Sequence, residues 1–365
     1  MSGRAILAVA SVVAGLSLHM ALSGPVRAQG VLSGIEARAT DQLSRIQARG
    51  LLECGVNGSL VGFSSVNLEG AWVGFDTDYC RALAAAVLGQ PELVQFTALT
   101  PGARLPALQN GDVDVLFRNT TLTFSRDTAL GLNAVGVTYY DGQQILARRD
   151  LGVTRARDLP EGTSVCVQNN STSRKNIERW NDTNGMDLNI RVFNSTEEAE
   201  QSLFAGRCDA HTGDGTGLSS ILAVEAPRPE DFILLEDVLS KEPLGPYVRE
   251  GDERWFNIVR WLINGLVAAE EQGLTQAIAQ EVEASGALPD GVADTPINRR
   301  LMGLDPGFGE SLGLDDAWLR RAIAAEGNYG ELFERNFGPD GLLTLDRGLN
   351  RLWTDGGLIY AYPMF

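Results

Sequence analysis

The sequence predicts an α/β fold, because segments with strand character and segments with helix character alternate along the chain. Several of the predicted helices end at a glycine, the residue that most readily adopts the left-handed conformation at a helix end. A short pattern, Leu-x-x-Gly-x-x-Asp, occurs at residues 108–114 and again at 203–209. In both places a predicted helix ends at the glycine, and a strand and a polar loop follow. These observations favour two related α/β lobes.

The predicted elements of the first lobe follow from apolar runs that are bounded by capping residues and glycines. Glycines at positions 89 and 111 mark the ends of its two helices. In order, the elements are a strand at 51–56, a helix that is capped by Asp76 or Thr77 and runs to Leu88, a helix at 104–109, and a strand at 113–117.

The second lobe shows the same alternation. Its predicted elements are a strand at 164–168, a helix from a cap at Ser171 or Thr172 to about Trp180, a helix at 197–204 that ends at Gly206, and a strand that begins near Asp209. Two stretches of extended character, 139–146 and 233–248, are expected to cross between the lobes.

The segment from residue 288 onward is rich in glycine but carries two further predicted helices, at 315–325 and 329–336. It retains large apolar side chains, which a disordered tail generally lacks; they are Trp318, Phe333, Trp353 and Tyr360. We therefore expect it to be part of the first lobe or a packed extension.

The first 28 residues have the character of a secretory signal peptide. Arg4 precedes an apolar run at 5–22, and small residues flank Arg27 at an expected cleavage site before Gln29. The alternative is an uncleaved membrane anchor, because the run approaches spanning length. Three polar residues interrupt it, at positions 11, 17 and 19. The first cysteine is Cys54, so a lipid-anchored product is not expected.

Charge and histidine content exclude several classes of function. The net charge is −17, which disfavours nucleic acid or an anionic membrane surface as a partner. Only His211 follows the signal segment. We therefore expect no histidine-based catalysis, no metal site and no cofactor. An even number of cysteines in an exported chain predicts disulfides, and the spacing matches no zinc motif.

Two polar segments follow predicted strands, at 118–127 and at 168–173. The carboxyl ends of strands and the amino ends of helices offer free amides that attract anions. Arg126 adds a planar guanidinium that can bind a carboxylate with two hydrogen bonds. Asp214, among small residues, is a candidate for a ligand ammonium, and Phe75 for an apolar contact.

Each of these residues also has an ordinary structural interpretation. Ser171 and Thr172 can act only as helix caps, and Arg126 can simply pair with Asp127. Asp214 is compatible with a turn, and Phe75 with the core.

Nine stretches carry a resemblance to a known family. They are Cys-Gly-Val-Asn at 54–57, Gly-Phe-Asp-Thr-Asp at 74–78, Leu-Gln-Asn-Gly-Asp-Val-Asp-Val-Leu at 108–116, Arg-Asn-Thr-Thr at 118–121, Tyr-Tyr-Asp-Gly-Gln at 139–143, Cys-Val-Gln at 166–168, Gly-Arg-Cys-Asp at 206–209, Ser-Lys-Glu-Pro-Leu-Gly-Pro at 240–246 and Gly-Asn-Tyr-Gly-Glu-Leu-Phe-Glu-Arg-Asn at 327–336. With them the chain resembles the periplasmic polar-amino-acid-binding proteins, bacterial solute-binding protein family 3. Within this family it looks like the general L-amino-acid-binding proteins of ABC uptake systems.

The resemblance implies a two-lobed periplasmic-binding-protein fold with two crossing hinge strands. Lobe 1 would comprise residues 29–142 and 243–365, including the C-terminal extension, and lobe 2 residues 143–242. The protein would act as a periplasmic monomer that presents its ligand to membrane-embedded ABC permease subunits.

The resemblance also assigns roles at the site. The implied ligand contacts are Asn119, Thr121 and Arg126 with the α-carboxylate, Ser171 and Thr172 from the second lobe, Asp214 with the α-ammonium, and Phe75 in the side-chain pocket. The family commonly has Gly-Thr-Thr where this chain has Asn170-Ser171-Thr172, and asparagine tolerates the positive φ that such a turn requires.

Two further expectations concern covalent links and specificity. We expect disulfides Cys54–Cys80 and Cys166–Cys208, each within one lobe, because a bridge between lobes would oppose opening. Asn57 is expected to contact the ligand as well. Relatives that prefer basic ligands commonly carry an acid near Asn57 and an aromatic residue near Leu60. Without a fixed charge there, the pocket is expected to accept L-amino acids broadly.

Two alternatives remain open. An enzyme on the same fold, such as a dehydratase of aromatic amino-acid precursors, would need a carboxylic acid as its catalyst. A sensory ligand-binding domain is disfavoured because no downstream membrane span or signalling domain follows.

Overall fold

The computed structural model describes residues 41–341 and 343–364, so the predicted signal peptide at 1–28 lies outside the described residues. The strands are β1 Leu52–Val56, β2 Ser59–Leu60, β3 Ser64–Val66, β4 Trp72–Val73, β5 Val94–Ala98, β6 Val115–Leu116, β7 Leu132–Ala134, β8 Tyr139–Arg148, β9 Ser164–Gln168, β10 Asn189–Phe193, β11 Ala210–Asp214, β12 Phe232–Leu234, β13 Ser240–Leu244 and β14 Tyr247–Arg249. The helices are α1 Gln42–Arg49, α2 Phe75–Leu88, α3 Arg104–Asn110, α4 Phe124–Thr128, α5 Thr172–Asn184, α6 Thr196–Phe204, α7 Gly215–Ser220, α8 Glu253–Glu271, α9 Gln276–Ser285, α10 Pro296–Leu301, α11 Trp318–Glu326 and α12 Tyr329–Phe337.

Two large sheets define two lobes, as the predicted fold class requires. The first has the strand order β5-β1-β6-β14-β7, with β1 parallel to both of its neighbours. The second has the order β10-β9-β11-β8-β12, with β9 parallel to β10 and β11. Parallel strands need helical crossovers, which explains the alternation of strand and helix patterns in the sequence.

Two strands carry the chain between the lobes. The strand β8 leaves the first lobe and enters the second sheet, where it pairs with β11 and β12. The strand β13 returns beside it, in antiparallel register from Gln143 opposite Ser240 to Tyr139 opposite Leu244. The next strand, β14, rejoins the first sheet. The two expected crossing strands are therefore present and hydrogen-bonded to each other.

The C-terminal extension packs into the core of the first lobe. Phe333 and Phe337 of α12 are fully buried; Phe333 stacks on Tyr139, and Phe337 contacts Tyr139 and Phe75 with tilted rings. Trp318 of α11 is buried in the same core. The other two aromatic residues noted in the sequence, Trp353 and Tyr360, are largely exposed. Among the described residues, no helix has both the length and the apolar character needed to cross a bilayer.

Both expected disulfides are confirmed. Cys54 on β1 joins Cys80 on α2, with a Cα–Cα distance of 6.3 Å. Cys166 on β9 joins Cys208, just before β11, with a Cα–Cα distance of 5.9 Å. Each bridge lies within one lobe, so neither restricts motion between the lobes.

Helix ends differ from the predictions where a residue has another partner. The helix α2 begins at Phe75 after Gly74, because the Asp76 carboxylate accepts a hydrogen bond from Asn119 N rather than capping its own helix. Thr77 donates its hydroxyl to the carbonyl of Gly74. The helix α5 continues past Trp180 to Asn184, where a left-handed glycine follows.

Candidate ligand-binding site

A cavity lies between the lobes, at the carboxyl ends of the central strands of both sheets. Six of the eight predicted ligand-binding residues line it: Asn57, Asn119, Thr121, Ser171, Thr172 and Asp214. The remaining lining residues are Leu60, Pro101, Arg104, Arg118, Gln168, Ser173, Thr196, His211, Thr212, Gly213, Gly217, Leu218 and Ile221. The lobes also touch at the rim, where Ser59 Oγ donates to Glu197 Oε1 at 2.7 Å.

The loop after β6 supplies the first-lobe wall. Asn119 has a positive φ of 31°, which turns the chain away from the strand, and its amide donates to Asp76 Oδ2 at 2.9 Å. The Arg118 guanidinium is held by the Leu99 carbonyl (2.9 Å) and by Asn119 Oδ1 (3.3 Å). Burial raises the pKa of Asp76 to about 7, although the Asn119 amide and Arg118 both lower it.

Two of the predicted contacts do not lie on the cavity wall. Phe75 is fully buried in the core of the first lobe, where its ring meets Phe63, Tyr139 and Tyr329 edge-on. The expectation that it lines the side-chain pocket is therefore corrected: apolar burial determines its position. Arg126 lies behind the loop, and its Nη1 donates to the Thr121 carbonyl at 2.7 Å.

The second-lobe wall is the amino end of α5. Asn170 has a φ of 56°, so it adopts the left-handed turn expected where the family has glycine. Ser171 caps the helix: its hydroxyl accepts from Arg174 N at 3.1 Å and donates to the Gln168 carbonyl at 2.6 Å. The Ser171 hydroxyl is thus occupied by the cap, which leaves the backbone amides of this turn for a ligand.

Asp214 ends β11 and faces the cavity. Among the described residues, no side chain or amide donates a hydrogen bond to its carboxylate. Burial and the nearby Asp141 and Glu242 raise its pKa well above the usual range, while Arg104 and Arg126 lower it. A cationic hydrogen-bond donor would stabilise this buried carboxylate, whose oxygen atoms are free to accept from one.

Arg104 is the site residue that the sequence reasoning missed. It opens α3 and is 4% exposed, yet in the described part of the chain its guanidinium has no hydrogen bond and no ion pair. Burial, with Arg118 and Arg126 nearby, lowers its pKa well below the usual value. The available signal was an arginine at the start of a predicted helix, directly before four apolar residues. Arg104 thus adds a charged group to the cavity wall at a position other than Asn57 and Leu60, the two positions to which the expectation of an uncharged pocket refers.

His211 on β11 contributes an uncharged group to the wall. Its Nδ1 donates to the Cys166 carbonyl at 3.1 Å, and burial lowers its pKa to about 4. A neutral imidazole adds polarity to the cavity without adding a charge. Within the described residues, no cluster of histidine, cysteine, aspartate and glutamate could hold a metal ion.

Residues 52–283 match the sequence profile of the bacterial extracellular solute-binding proteins, family 3. The chain belongs to this family. The resemblance inferred from the motifs is thereby confirmed, and the two-lobed architecture described above is in accord with it.

Individual relatives extend the match over the C-terminal extension. The general L-amino acid-binding periplasmic protein of Rhizobium johnstonii is 43% identical over 345 residues, which is 94% of this chain and 98% of the relative. The glutamate/glutamine/aspartate/asparagine-binding protein of Rhodobacter capsulatus is 44% identical over 343 residues, again 94% and 98%. These relatives are named as binding proteins, which favours a binding role over the dehydratase alternative.

A solved structure agrees with the fold. A periplasmic binding protein of an ABC transporter from Brucella ovis, with glutathione bound, is 44% identical and superposes with a TM-score of 0.84. The match covers 89% of this chain and all of that one.

Proposed function

We propose that the chain is the periplasmic binding component of an amino-acid ABC transporter, which holds an L-α-amino acid between its lobes and presents it to the membrane-embedded permease. The observation that carries the proposal is that one cavity is lined by a carboxyl group and a guanidinium group, those of Asp214 and Arg104, which have no hydrogen-bond partner among the described residues. A ligand whose α-ammonium group reaches Asp214 and whose side-chain oxygen reaches Arg104 pairs with both groups. The names of the relatives support the same function.

The proposed pose follows from the charges. Asp214 accepts from the α-ammonium. The α-carboxylate meets the loop at Asn119 and Thr121 on one side and the turn at Ser171 and Thr172 on the other, where backbone amides and hydroxyls converge. Arg126 contributes its positive charge from behind the Thr121 carbonyl.

The side-chain pocket is proposed to favour acidic and amide side chains. Arg104 and Arg118 bring two guanidinium groups to the cavity, and Asn57 and Leu60 complete the wall. A second carboxylate or a carbonyl oxygen would neutralise or accept from Arg104, whereas an apolar side chain would leave it buried and unpaired. The name of the Rhodobacter relative supports this preference, while that of the Rhizobium relative supports a broader range.

The test is a thermal-shift screen of residues 29–365 against the common L-amino acids and D-glutamate, followed by titration calorimetry. We expect L-glutamate, L-glutamine, L-aspartate and L-asparagine to give the largest shifts, and D-glutamate to bind poorly. Recovery of the bound ligand unchanged after incubation would distinguish binding from catalysis. A screen without any amino-acid hit, or a single apolar ligand bound about a hundredfold more tightly than all others, would refute the proposal.

We further propose that the signal peptide is cleaved before Gln29 on export to the periplasm. The mature protein is proposed to be a monomer there. Mass determination of the protein purified from the periplasm tests the position of cleavage, and its sedimentation tests the oligomeric state.

A further inference from the structure

Glu242 lies on the crossing strand β13, and its carboxylate is buried where the two lobes meet. Its Oε2 accepts from the hydroxyls of Thr121, at 2.6 Å, and Thr172, at 2.9 Å. Its Oε1 accepts from Asn176 Nδ2 at 2.8 Å and from the Ser240 hydroxyl at 2.6 Å. Thr121 belongs to the first lobe, and Thr172 and Asn176 belong to α5 of the second. One carboxylate outside the cavity wall therefore holds two threonines that line it.

The position of the hydroxyl protons follows from these contacts. Each threonine hydroxyl has one proton to donate and two lone pairs to offer. The Oγ1 atoms of Thr121 and Thr172 are 3.2 Å apart, close enough for a hydrogen bond. If either hydroxyl donated its proton to the other, it could not donate that proton to Glu242. The carboxylate is the closer and the stronger acceptor for both. Both protons therefore point at Glu242, and the two oxygens present lone pairs to the cavity.

Two neighbouring acceptors suit a ligand that donates. An α-carboxylate has no proton to donate at neutral pH, so it would face these oxygens as acceptor against acceptor. An ammonium group has three donors. Asp214, whose carboxylate has no donor among the described residues, supplies a third acceptor on the same cavity.

We propose that Glu242 is a positioning residue: by holding the protons of Thr121 and Thr172, it makes both hydroxyls part of the α-ammonium site together with Asp214. This inference rests on the proposed function and refines one part of it. The α-carboxylate is then bound by backbone amides and guanidinium charge rather than by the threonine hydroxyls. Because Glu242 accepts from both lobes, the ammonium site is complete only when the cleft is closed.

The test compares two ligands that differ at one group, L-glutamate and (S)-2-hydroxyglutarate, whose α-hydroxyl replaces the ammonium. Their dissociation constants are measured for the wild type, Glu242→Met and Glu242→Gln, with Glu236→Met as the control. Glu236 is an exposed glutamate shortly before β13 that pairs with Arg155. We expect Glu242→Met to weaken L-glutamate binding at least about tenfold. Without the carboxylate, the hydroxyls of Thr121 and Thr172 can turn their protons toward the ligand and no longer act only as acceptors. The hydroxy acid, which donates or accepts equally well, should change by less than about threefold.

Glu242→Gln should recover most of the affinity, since the glutamine carbonyl still accepts both threonine protons. Equal weakening of both ligands by Glu242→Met, or no weakening of either, would overturn the positioning role. If Glu242→Gln bound L-glutamate as weakly as Glu242→Met, the negative charge of Glu242 would matter and not the hydrogen bonds that it accepts. That result would also overturn the positioning role. A wild type that binds no L-amino acid would refute the proposed function itself, so the two failures are distinguishable. Thermal melting of each variant confirms that it is folded.

Discussion

At the scale of single residues, Arg104 is expected to lower the stability of the unliganded protein and to strengthen ligand binding. A buried guanidinium without a partner destabilises the unliganded protein. A ligand anion that pairs with the guanidinium offsets this cost, which strengthens binding. We therefore expect Arg104→Met to raise the free energy of unfolding of the unliganded protein by about 1 kcal/mol or more. The same change should weaken binding of L-glutamate at least tenfold, or about 1.4 kcal/mol. Chemical denaturation and titration calorimetry measure the two effects.

The matched control is Arg299→Met. Arg299 is a surface arginine that pairs with Asp305 and lies far along the chain from the cavity residues. It should change neither quantity by more than about 0.5 kcal/mol. A loss of stability in Arg104→Met equal to its loss of binding energy would contradict the assignment, because it would indicate a packing role.

His211 gives a second residue-scale prediction, because it is the one histidine after the signal segment. Burial lowers its folded-state pKa from 6.5 to about 4, so the unfolded chain binds a proton more readily between these values. Its contribution to stability is therefore fully present above pH 6.5 and is lost as the pH falls toward 4, by about 3 kcal/mol in total. Imidazole NMR signals should titrate near pH 4.

The stability part is isolated with His211→Gln, whose amide can still donate to the Cys166 carbonyl. The difference in unfolding free energy between wild type and variant should be constant above pH 6.5 and should shift against the wild type below it. An imidazole that titrates near 6.5 in the folded protein would be inconsistent with its burial.

The individual site residues show which signals a sequence carries. Asn119, Thr121, Ser171, Thr172 and Asp214 could be predicted because strand ends and helix starts define a sheet edge, and motif similarity selected among them. Phe75 could not be placed correctly, because an aromatic residue beside a site and one in the adjacent core have the same local pattern. Arg104 could not be predicted, because its significance is that no described residue pairs with it, which only the three-dimensional arrangement reveals.

At the scale of elements, the two disulfides are expected to stabilise separate lobes. They close loops with sequence separations of 26 and 42 residues. Chain-entropy arguments assign about 3–4 kcal/mol to each. Replacing either pair by alanines should lower the unfolding free energy by that amount. Affinity for the ligand at 25 °C should change by less than about threefold, since none of the four cysteines lines the cavity.

Non-reducing peptide mapping checks the pairing first, and denaturation of the two double-alanine variants follows. A peptide joining Cys54 to Cys166 would contradict the separation of the lobes. So would a large loss of affinity in a variant that remains folded.

Helix ends were predictable where glycine sets them, as at Gly89, Gly111 and Gly185, because a left-handed residue stops the helix irrespective of tertiary context. The sequence predicts the first two of these helix ends but not the third. The first residues of helices were less predictable. Asp76 has the chemistry of a cap, but a distant amide, that of Asn119, takes its carboxylate.

At the scale of the whole molecule, the C-terminal extension is part of the first lobe rather than an appendage. Trp318, Tyr329, Phe333 and Phe337 are fully buried in its core. Ending the chain after residue 287 would expose Phe75 and Tyr139 to water, at a cost of about 1.5–3 kcal/mol for each large side chain uncovered. We expect the truncated protein to lose cooperative thermal unfolding and to aggregate.

Circular dichroism melts and the yield of monomer after gel filtration measure this outcome. A truncated protein that melts cooperatively and binds ligand would show that the extension is dispensable. The alternation of patterns predicted the two-lobed plan, but the packing of the extension could not be derived, because the sequence specifies its apolar faces without naming their partners.

The complete pairing of the cysteines has a practical consequence. The chain contains four cysteines, and all four are joined in disulfides, so the folded protein offers no thiol to an alkylating reagent. A single cysteine introduced in place of Ser59, at the rim where that residue meets Glu197, would be the unique attachment point for a maleimide dye. Fluorescence from that position would follow the rim as it opens and closes, which makes this chain a one-substitution scaffold for an optical amino-acid sensor.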